Sequence, residues 1–296
     1  MSSLTLLLPA RLDGPGLFGL TKLFLDGCGD RLPTTLIFDF AVLSFVRPAG
    51  VTFLGNFIRW ANSRQIDTCF VNHRRNVQAI RFLDDSLFFE RFLGEKINPD
   101  ACPRPTTQPL VEIANEYSHA WLRMTLMPWL TARLNMNEPS LAAFQVAASE
   151  IFNNIKDHSS IDIGSVFVQH FPQQKTVNIS IADFGNGIPT TVRKVAPGIT
   201  DEEAIVRAVQ RGFTSQSVPG NRGAGLDFLL QTAVGTNEGS VTIYSLTSFV
   251  TFTSHSSGIV HAGASVDGFC PGTTIDINLR TDTIVQLPDE RRDLEW

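Results

Sequence analysis

In the first hundred residues, short apolar segments alternate with stretches in which apolar residues recur at helical spacing. Thr35–Phe40 and Asp67–Val71 are apolar and rich in residues that favour strands, which predicts two buried strands. Between them, apolar side chains over Ala49–Ala61 recur on one helical face, and a second helical rhythm covers 77–92. Strands that alternate with helices predict a small α/β domain.

A proline-rich segment follows between Lys96 and Leu110. Its four prolines are Pro99, Pro103, Pro105 and Pro109. Proline lacks an amide hydrogen and has a fixed φ, so this run argues against a continuous helix or a central strand. We predict a first domain over 1–97, a linker over 98–110, a second domain over 111–285 and a charged tail over 286–296.

The second part begins with helical patterns and ends with strand patterns. Glu112–Thr131 has a helical pattern, and a longer helix is predicted to begin near Asn137. Its core stripe is formed by Leu141, Phe144, Ala148, Ile151 and Ile155. Strands are predicted at Thr176–Ala182, Ser240–Leu246, Phe249–Ser254 and Thr273–Leu279. The whole chain is therefore expected to be an α/β protein.

Composition narrows the classes of function. Hydrophobic residues make up 43% and charged residues 18% of the 296 residues, which is typical of a folded protein with a core. The net charge is −5 and no basic stripe is present, so nucleic acid is not an expected partner. The absence of a basic leader and of a long apolar run predicts a cytoplasmic protein without a membrane partner. The four cysteines contain no C-x-x-C pair, which argues against a zinc site.

Polar side chains follow one face of the predicted helix after Asn137. Glu150, Asn154 and Asp157 are at positions i, i+4 and i+7, which places them one above another, and His158 follows directly. An asparagine oxygen is a hard ligand suited to Mg²⁺. A glutamate one turn earlier can accept a proton from a nucleophile.

An aspartate and two glycines follow the strand at Thr176–Ala182. The sequence there is Asp183-Phe184-Gly185-Asn186-Gly187, with Ile188 next. A carboxylate can accept a hydrogen bond from the exocyclic amine of adenine, and glycines let the backbone approach a flat base. Guanine has an acceptor at the equivalent position and would leave the carboxylate unpaired.

A small polar stretch at 212–219 has the composition of a lid and leads into a glycine-rich entry to a helix. Backbone amides at such an entry can bind phosphate oxygens. Neither a P-loop nor a dinucleotide-binding fingerprint is present. The candidate residues of this region are Thr214, Ser215, Gly220, Arg222, Gly223, Ala224, Gly225 and Leu226.

These motifs together resemble the gyrase/chaperone/histidine-kinase/mismatch-repair (GHKL) superfamily. The run Glu150–His158 resembles its N-box, DFGNG its G1 box, GNRGAGL its G2 box, and Pro271-Gly272-Thr273-Thr274 its last box, in the same order. The resemblance implies a Bergerat-type α/β sandwich, a mixed sheet with helices on one face, that binds ATP and Mg²⁺. It implies that Glu150 is the base and Asn154 the Mg²⁺ ligand. It also implies that Asp157 and His158 support the pocket wall and that Thr273 supports Asp183.

The first part resembles a STAS domain, the fold of anti-sigma-factor antagonists, over Ile37–Ile66 and Phe82–Gly94. In that family a loop that commonly ends Asp-Ser-x-Gly carries a serine that a partner kinase phosphorylates. This chain has Arg47-Pro48-Ala49-Gly50 instead, without a hydroxyl at the acceptor position. Ser44 and Thr52 are the nearby alternatives.

Three hypotheses follow from the combination, which is similar to anti-sigma-factor serine kinases. The first is a regulatory ATPase or serine/threonine kinase that acts on a protein partner with a STAS or sigma-factor-like fold. The second is a non-catalytic switch in which ATP changes the surface offered to a partner. The third is a histidine kinase acting through His119, for which a half-buried structural role is the expected alternative. A homodimer stays open.

Overall fold

A computed structural model describes residues 2–29, 31–159, 162–213 and 225–288. Over these ranges the chain is an α/β protein, as predicted, and it contains one parallel and one antiparallel sheet of three or more strands. None of the helices in these ranges is long and apolar enough to cross a membrane.

The first part is built on a three-stranded parallel sheet of order β1-β3-β5, beside a short parallel pair, β2 and β4. Its elements are β1 (Ser3–Leu7), β2 (Arg11–Leu12), α1 (Gly14–Cys28), β3 (Thr35–Asp39), β4 (Phe45–Val46), α2 (Pro48–Asn62), β5 (Asp67–Val71), α3 (Gln78–Asp85) and α4 (Phe88–Leu93). The strands and the helix predicted here are confirmed, but β5 is not a buried strand, since Phe70 is the one buried residue in it. The rhythm over 77–92 is interrupted at Leu87, whose φ of 60° is left-handed and separates α3 from α4.

The second part is built on a five-stranded antiparallel sheet of order β6-β7-β8-β10-β9. Its elements are β6 (Thr107–Ala114), α5 (Asn115–Trp121), α6 (Met127–Leu134), α7 (Glu138–His158), β7 (Ile163–Phe171), β8 (Thr176–Asp183), α8 (Ile188–Val192), α9 (Asp201–Ala208), α10 (Gly225–Leu230), β9 (Ser240–His255) and β10 (Gly258–Arg280). Leu122–Leu126 and Gln231–Thr236 are π-helical continuations of α5 and α10.

Two sequence expectations about the start of this part are wrong. The strand β6 begins at Thr107, inside the segment predicted to be a linker, and it includes the first residues of the helix predicted at Glu112–Thr131. Pro109 is tolerated because β6 is an edge strand with a register shift between Gln108 and Val111.

Helices cover both faces of the five-stranded sheet, whereas the resemblance implied one covered face and a mixed sheet. One face packs on α7, α10 and their neighbours to form an apolar core. The other face packs on α1 and α2, which lie between the two sheets. Phe167 and Tyr244 of the five-stranded sheet belong to the same core cluster as Phe53 and Phe57 of α2.

The contact between α2 and the five-stranded sheet also contains buried polar pairs. Thr52 Oγ1 lies 2.6 Å from Ser180 Oγ, and Ser165 Oγ donates to Asn56 Oδ1 at 3.0 Å. Arg59 donates two hydrogen bonds of 2.6 Å to the carboxylate of Glu112. Because hydrogen bonds form only at defined donor–acceptor distances, these pairs fix α2 on β6, β7 and β8.

Candidate nucleotide site

Asp183 is the centre of the polar network at the end of β8. Its side chain is buried, and its Oδ1 accepts hydrogen bonds from Ser159 Oγ at 3.0 Å and from the Gly185 amide at 2.8 Å. Burial raises the pKa of Asp183 to about 6, while the hydrogen bonds from Gly185, Ser159 and the Thr273 amide lower it. Asp183 is therefore a desolvated carboxyl group held in one orientation.

The strand β10 supplies the second wall of this network. Thr273 pairs with Asp183 in the sheet, and its hydroxyl lies 2.9 Å from Ser245 Oγ. The Ile188 amide, at the start of α8, donates to Ser245 Oγ at 3.0 Å and to Thr273 Oγ1 at 3.3 Å. Thr273 thus supports the loop that follows Asp183.

Two glycines let neighbouring segments approach closely. Gly272 lets β10 approach the backbone of Asp183, and Gly185 leaves room for the side chain of Ser159. A Cβ atom on Gly272, whose φ is 66°, would lie 2.3 Å from the Asp183 carbonyl oxygen. A Cβ atom on Gly185 would lie 1.8 Å from Ser159 Oγ. Gly187 also has a left-handed φ, 77°. The glycines of this loop are therefore required by space and by backbone conformation.

Glu150 and Asn154 form a second cluster earlier on α7. Both side chains are half-buried, and both face the first residue of α10. A Cβ atom on Gly225 would lie 3.0 Å from Glu150 Oε2 and 3.4 Å from Asn154 Nδ2. Asn154 Nδ2 is buried and has no hydrogen-bond partner among the described residues.

The helix α7 connects the two clusters. Ser159 follows Asn154 by five residues, which is about 7 Å along a helix axis. Glu150 and Asn154 on α7 are thus connected to Asp183 on β8 through Ser159, which follows the helix. Leu226 is half-buried and packs against the core behind α10.

Part of the predicted site lies outside the described residues. This holds for the lid and the glycine-rich entry, namely Thr214, Ser215, Gly220, Arg222, Gly223 and Ala224. The backbone of Asp157 and His158 belongs to the last turn of α7, but their side chains lie outside the described part as well.

The structure changes two expectations, those for Thr52 and for His119. Thr52 is completely buried against Ser180, so it is not accessible to a kinase. Ser44 is exposed, and its hydroxyl donates to the Ala10 carbonyl oxygen at 2.9 Å. His119 is exposed on α5 and not half-buried. Sequence reasoning missed Ser159 and Ser245. Only the position of Ser159 directly after the N-box-like run could have indicated it.

Comparisons with known proteins leave the family open. No protein-family model matches the chain, and no curated protein matches it at a significant level. The function of the protein is therefore inferred from the geometry of the site.

Proposed function

We propose that this protein binds Mg-ATP along α7 and acts as a regulatory ATPase or as a serine/threonine kinase of a protein partner. The observation that carries the proposal is the hydrogen bond from Ser159 to Asp183, which joins the helix that carries Glu150 and Asn154 to the end of β8. Asp183, a buried acceptor for the amine of a nucleobase, lies at one end of this unit. Glu150, which can accept a proton and lies beside Gly225, is at the other.

Asp183 would select adenine as the nucleobase. Its carboxyl group is fixed by Ser159 and Gly185, so it can accept from the exocyclic amine of adenine without rearrangement. The glycine conformations at Gly185 and Gly187 keep side chains away from the plane of a base.

Asn154 fits the Mg²⁺ that accompanies the phosphates. Its buried amide end has no partner among the residues that the structure describes, and a half-turn of the amide places its oxygen there. Amide oxygens are ligands of Mg²⁺ in proteins, and the bound ion would neutralise negative charge on the phosphates. Asn154 would hold the ion from the side of α7.

Glu150 would act on the nucleophile. It lies one helical turn before Asn154 and beside Gly225, where the phosphates are expected. Its carboxylate can orient a water molecule or a hydroxyl group and accept its proton. The resemblance to anti-sigma-factor kinases makes a regulatory protein the expected acceptor of the phosphoryl group.

The first experiment is calorimetric titration with ADP and with a non-hydrolysable ATP analogue, each with Mg²⁺, followed by a steady-state hydrolysis assay. We expect micromolar binding, and turnover that Glu150→Ala abolishes while binding is kept. Glu138→Gln, in the exposed first turn of the same helix, is the matched control and should leave turnover unchanged.

The outcomes separate the hypotheses. Binding without turnover would favour the ATP-dependent switch, and partner binding with and without nucleotide would then be compared. Absence of binding for both nucleotides would contradict the proposal.

Asn154→Ala tests the Mg²⁺ role in the same assay. We expect the variant to lose the gain in affinity that Mg²⁺ gives the wild type. Asn153→Ala is the control, because adjacent helical side chains point about 100° apart. Equal nucleotide affinity with and without Mg²⁺ in the wild type would remove Asn154 from this role.

A further inference from the structure

A polar cavity lies on the face of the five-stranded sheet that packs on α2, at the N-terminal end of that helix. Its volume is about 190 Å³, and Arg47, the residue that precedes α2, lies on one side of it. The strands β8, β9 and β10 form the other side, with Asn178, Ser240, Asp276 and Asn278 among the lining residues.

The register of the sheet explains why this wall is polar. Asn178, Asn278 and Ser240 are direct cross-strand neighbours on β8, β10 and β9. Asp276 is two residues before Asn278 and pairs with Ser180, whose side chain faces α2, so these side chains share one face. Amide, hydroxyl and carboxyl groups therefore converge where a sheet packed on helices would normally be apolar.

Asp276 is the acidic group of the cavity. Its Oδ1 is buried and has no hydrogen-bond partner among the described residues. Burial raises the pKa of Asp276 to about 7, and a hydrogen bond from Asn178 and the charge of Arg47 lower it. A buried acceptor without a partner costs about 1–3 kcal/mol, so this group is a site for a donor.

Gln169 extends the same row. It pairs with Asn178 across β7 and β8, and its Oε1 is likewise buried without a partner in the described part of the chain. Gln169 is thus a second unfilled acceptor, and it is separated from Asp276 by the strand β8.

Arg47 is the basic group. Its guanidinium takes part in none of the ion pairs among the described residues, although its charge acts on Asp276. Arg11, which lies over the same Phe45 ring, differs because it pairs with Asp13 at 3.4 Å. The cavity therefore separates an acid from a base that do not touch.

We propose that this cavity binds a free α-amino acid, with its ammonium group on Asp276 and its carboxylate on Arg47. A zwitterion would pair with the Asp276 carboxyl group and with the unpaired guanidinium at once, whereas an anion uses only Arg47 and a metal ion is repelled by it. The volume equals that of about six water molecules, which is room for a small amino acid.

The test is a thermal-shift and calorimetric screen of the full chain against the twenty common amino acids, one at a time, without nucleotide. Each hit is compared with its amino alcohol, which lacks the carboxylate, and with the carboxylic acid that lacks the amine. We expect one or a few small amino acids to bind and both analogues to bind at least about tenfold more weakly.

Two variants test the residues. Asp276→Asn and Arg47→Gln should each weaken binding about tenfold or more, since each removes one charged hydrogen-bond partner. Arg11→Gln is the matched control for Arg47 and should bind like the wild type. The screen is repeated in Asp183→Asn, where the amino acid should still bind, so the result is independent of the nucleotide proposal.

The proposal is overturned if no amino acid binds, if the amino alcohol or a polyol binds as well as the amino acid, or if the affinity survives both Asp276→Asn and Arg47→Gln.

Discussion

Ser159 at the end of α7 donates a hydrogen bond of 3.0 Å to Oδ1 of Asp183 at the end of β8. The same oxygen accepts from the Gly185 amide at 2.8 Å. This junction ties the helix that carries Glu150 and Asn154 to the strand that carries Asp183. The relative positions of the proposed base, metal ligand and adenine acceptor depend on it.

Replacing Asp183 tests the adenine acceptor directly. We expect Asp183→Asn to weaken ADP binding about tenfold to hundredfold, because a charged acceptor is lost from a desolvated site. Titration calorimetry measures the change, and Asp267→Asn, at an exposed site, is the control. Unchanged affinity in Asp183→Asn would remove this residue from the pocket.

The raised pKa of Asp183 predicts a pH dependence of nucleotide binding. In the free protein this pKa is about 6, and the ionised carboxylate is a stronger acceptor for the adenine amine than the protonated group. ADP affinity should therefore be constant above about pH 7 and fall as pH decreases through about 6, by at most about tenfold per pH unit. The Asp183→Asn variant should lack this decrease, and an identical pH profile in both proteins would contradict the assignment.

Gly225 tests the contact between α10 and α7. In Gly225→Ala the new methyl group would lie 3.0 Å from Glu150 Oε2 and 3.1 Å from Glu150 Cβ, so the glutamate must move by a few tenths of an ångström. We expect the variant to stay folded and to lose about tenfold in turnover, as misplaced catalytic groups do. In Gly19→Ala, on α1, the added Cβ meets no heavy atom within 4 Å. That control should keep full turnover, and full turnover in Gly225→Ala as well would contradict the prediction.

The buried pair between Thr52 and Ser180 tests the contact of α2 with the five-stranded sheet. Thr52→Val keeps the shape of the side chain but leaves the Ser180 hydroxyl without its partner at 2.6 Å. We expect a loss of about 1–3 kcal/mol in the free energy of unfolding, measured with urea.

The double variant Thr52→Val/Ser180→Ala should recover part of that loss, because no polar group then stays unpaired. Thr5→Val, at an exposed position of β1, is the control and should have little effect. Equal stability of Thr52→Val and the wild type would show that the pair contributes nothing to the contact.

Asp276 predicts how stability depends on pH. Burial raises its pKa to about 7 in the folded protein, from an ordinary value of 3.8. The folded state therefore holds a proton that the unfolded state loses between about pH 4 and pH 7, and this group lowers stability as pH rises through that window.

Asp276→Asn removes the ionisation. Relative to the wild type we expect it to gain about 1–4 kcal/mol of unfolding free energy near pH 8, and the gain should shrink as pH falls toward 4. Urea titrations at several pH values measure this difference. A constant difference between the two proteins across that range would contradict the pKa assignment.

The sequence by itself determined the elements whose side chains follow a local rule. The strand β5 has the predicted bounds and the helix α7 begins where it was predicted, because strand propensity and helical periodicity depend only on near neighbours. The placement of Asp183 and Gly185 directly after a buried strand was predictable for the same reason.

The strand β7 was not predicted, because it is buried on both faces and shows no alternation. Glu112–Ala114 favoured a helix locally but forms an edge strand, since pairing with β7 outweighs helix propensity.

Only the tertiary structure decided which distant residues complete the site and what covers the sheet. Ser159 and Asp183 are 24 positions apart, and Ile188 and Ser245 are 57 apart, so no local pattern relates them. The position of α2 between the two sheets rests on contacts such as Thr52 with Ser180, 128 positions apart. Such contacts form when whole elements pack together. Because the hydrophobic effect is non-directional, an apolar face shows that it is buried but not which element covers it.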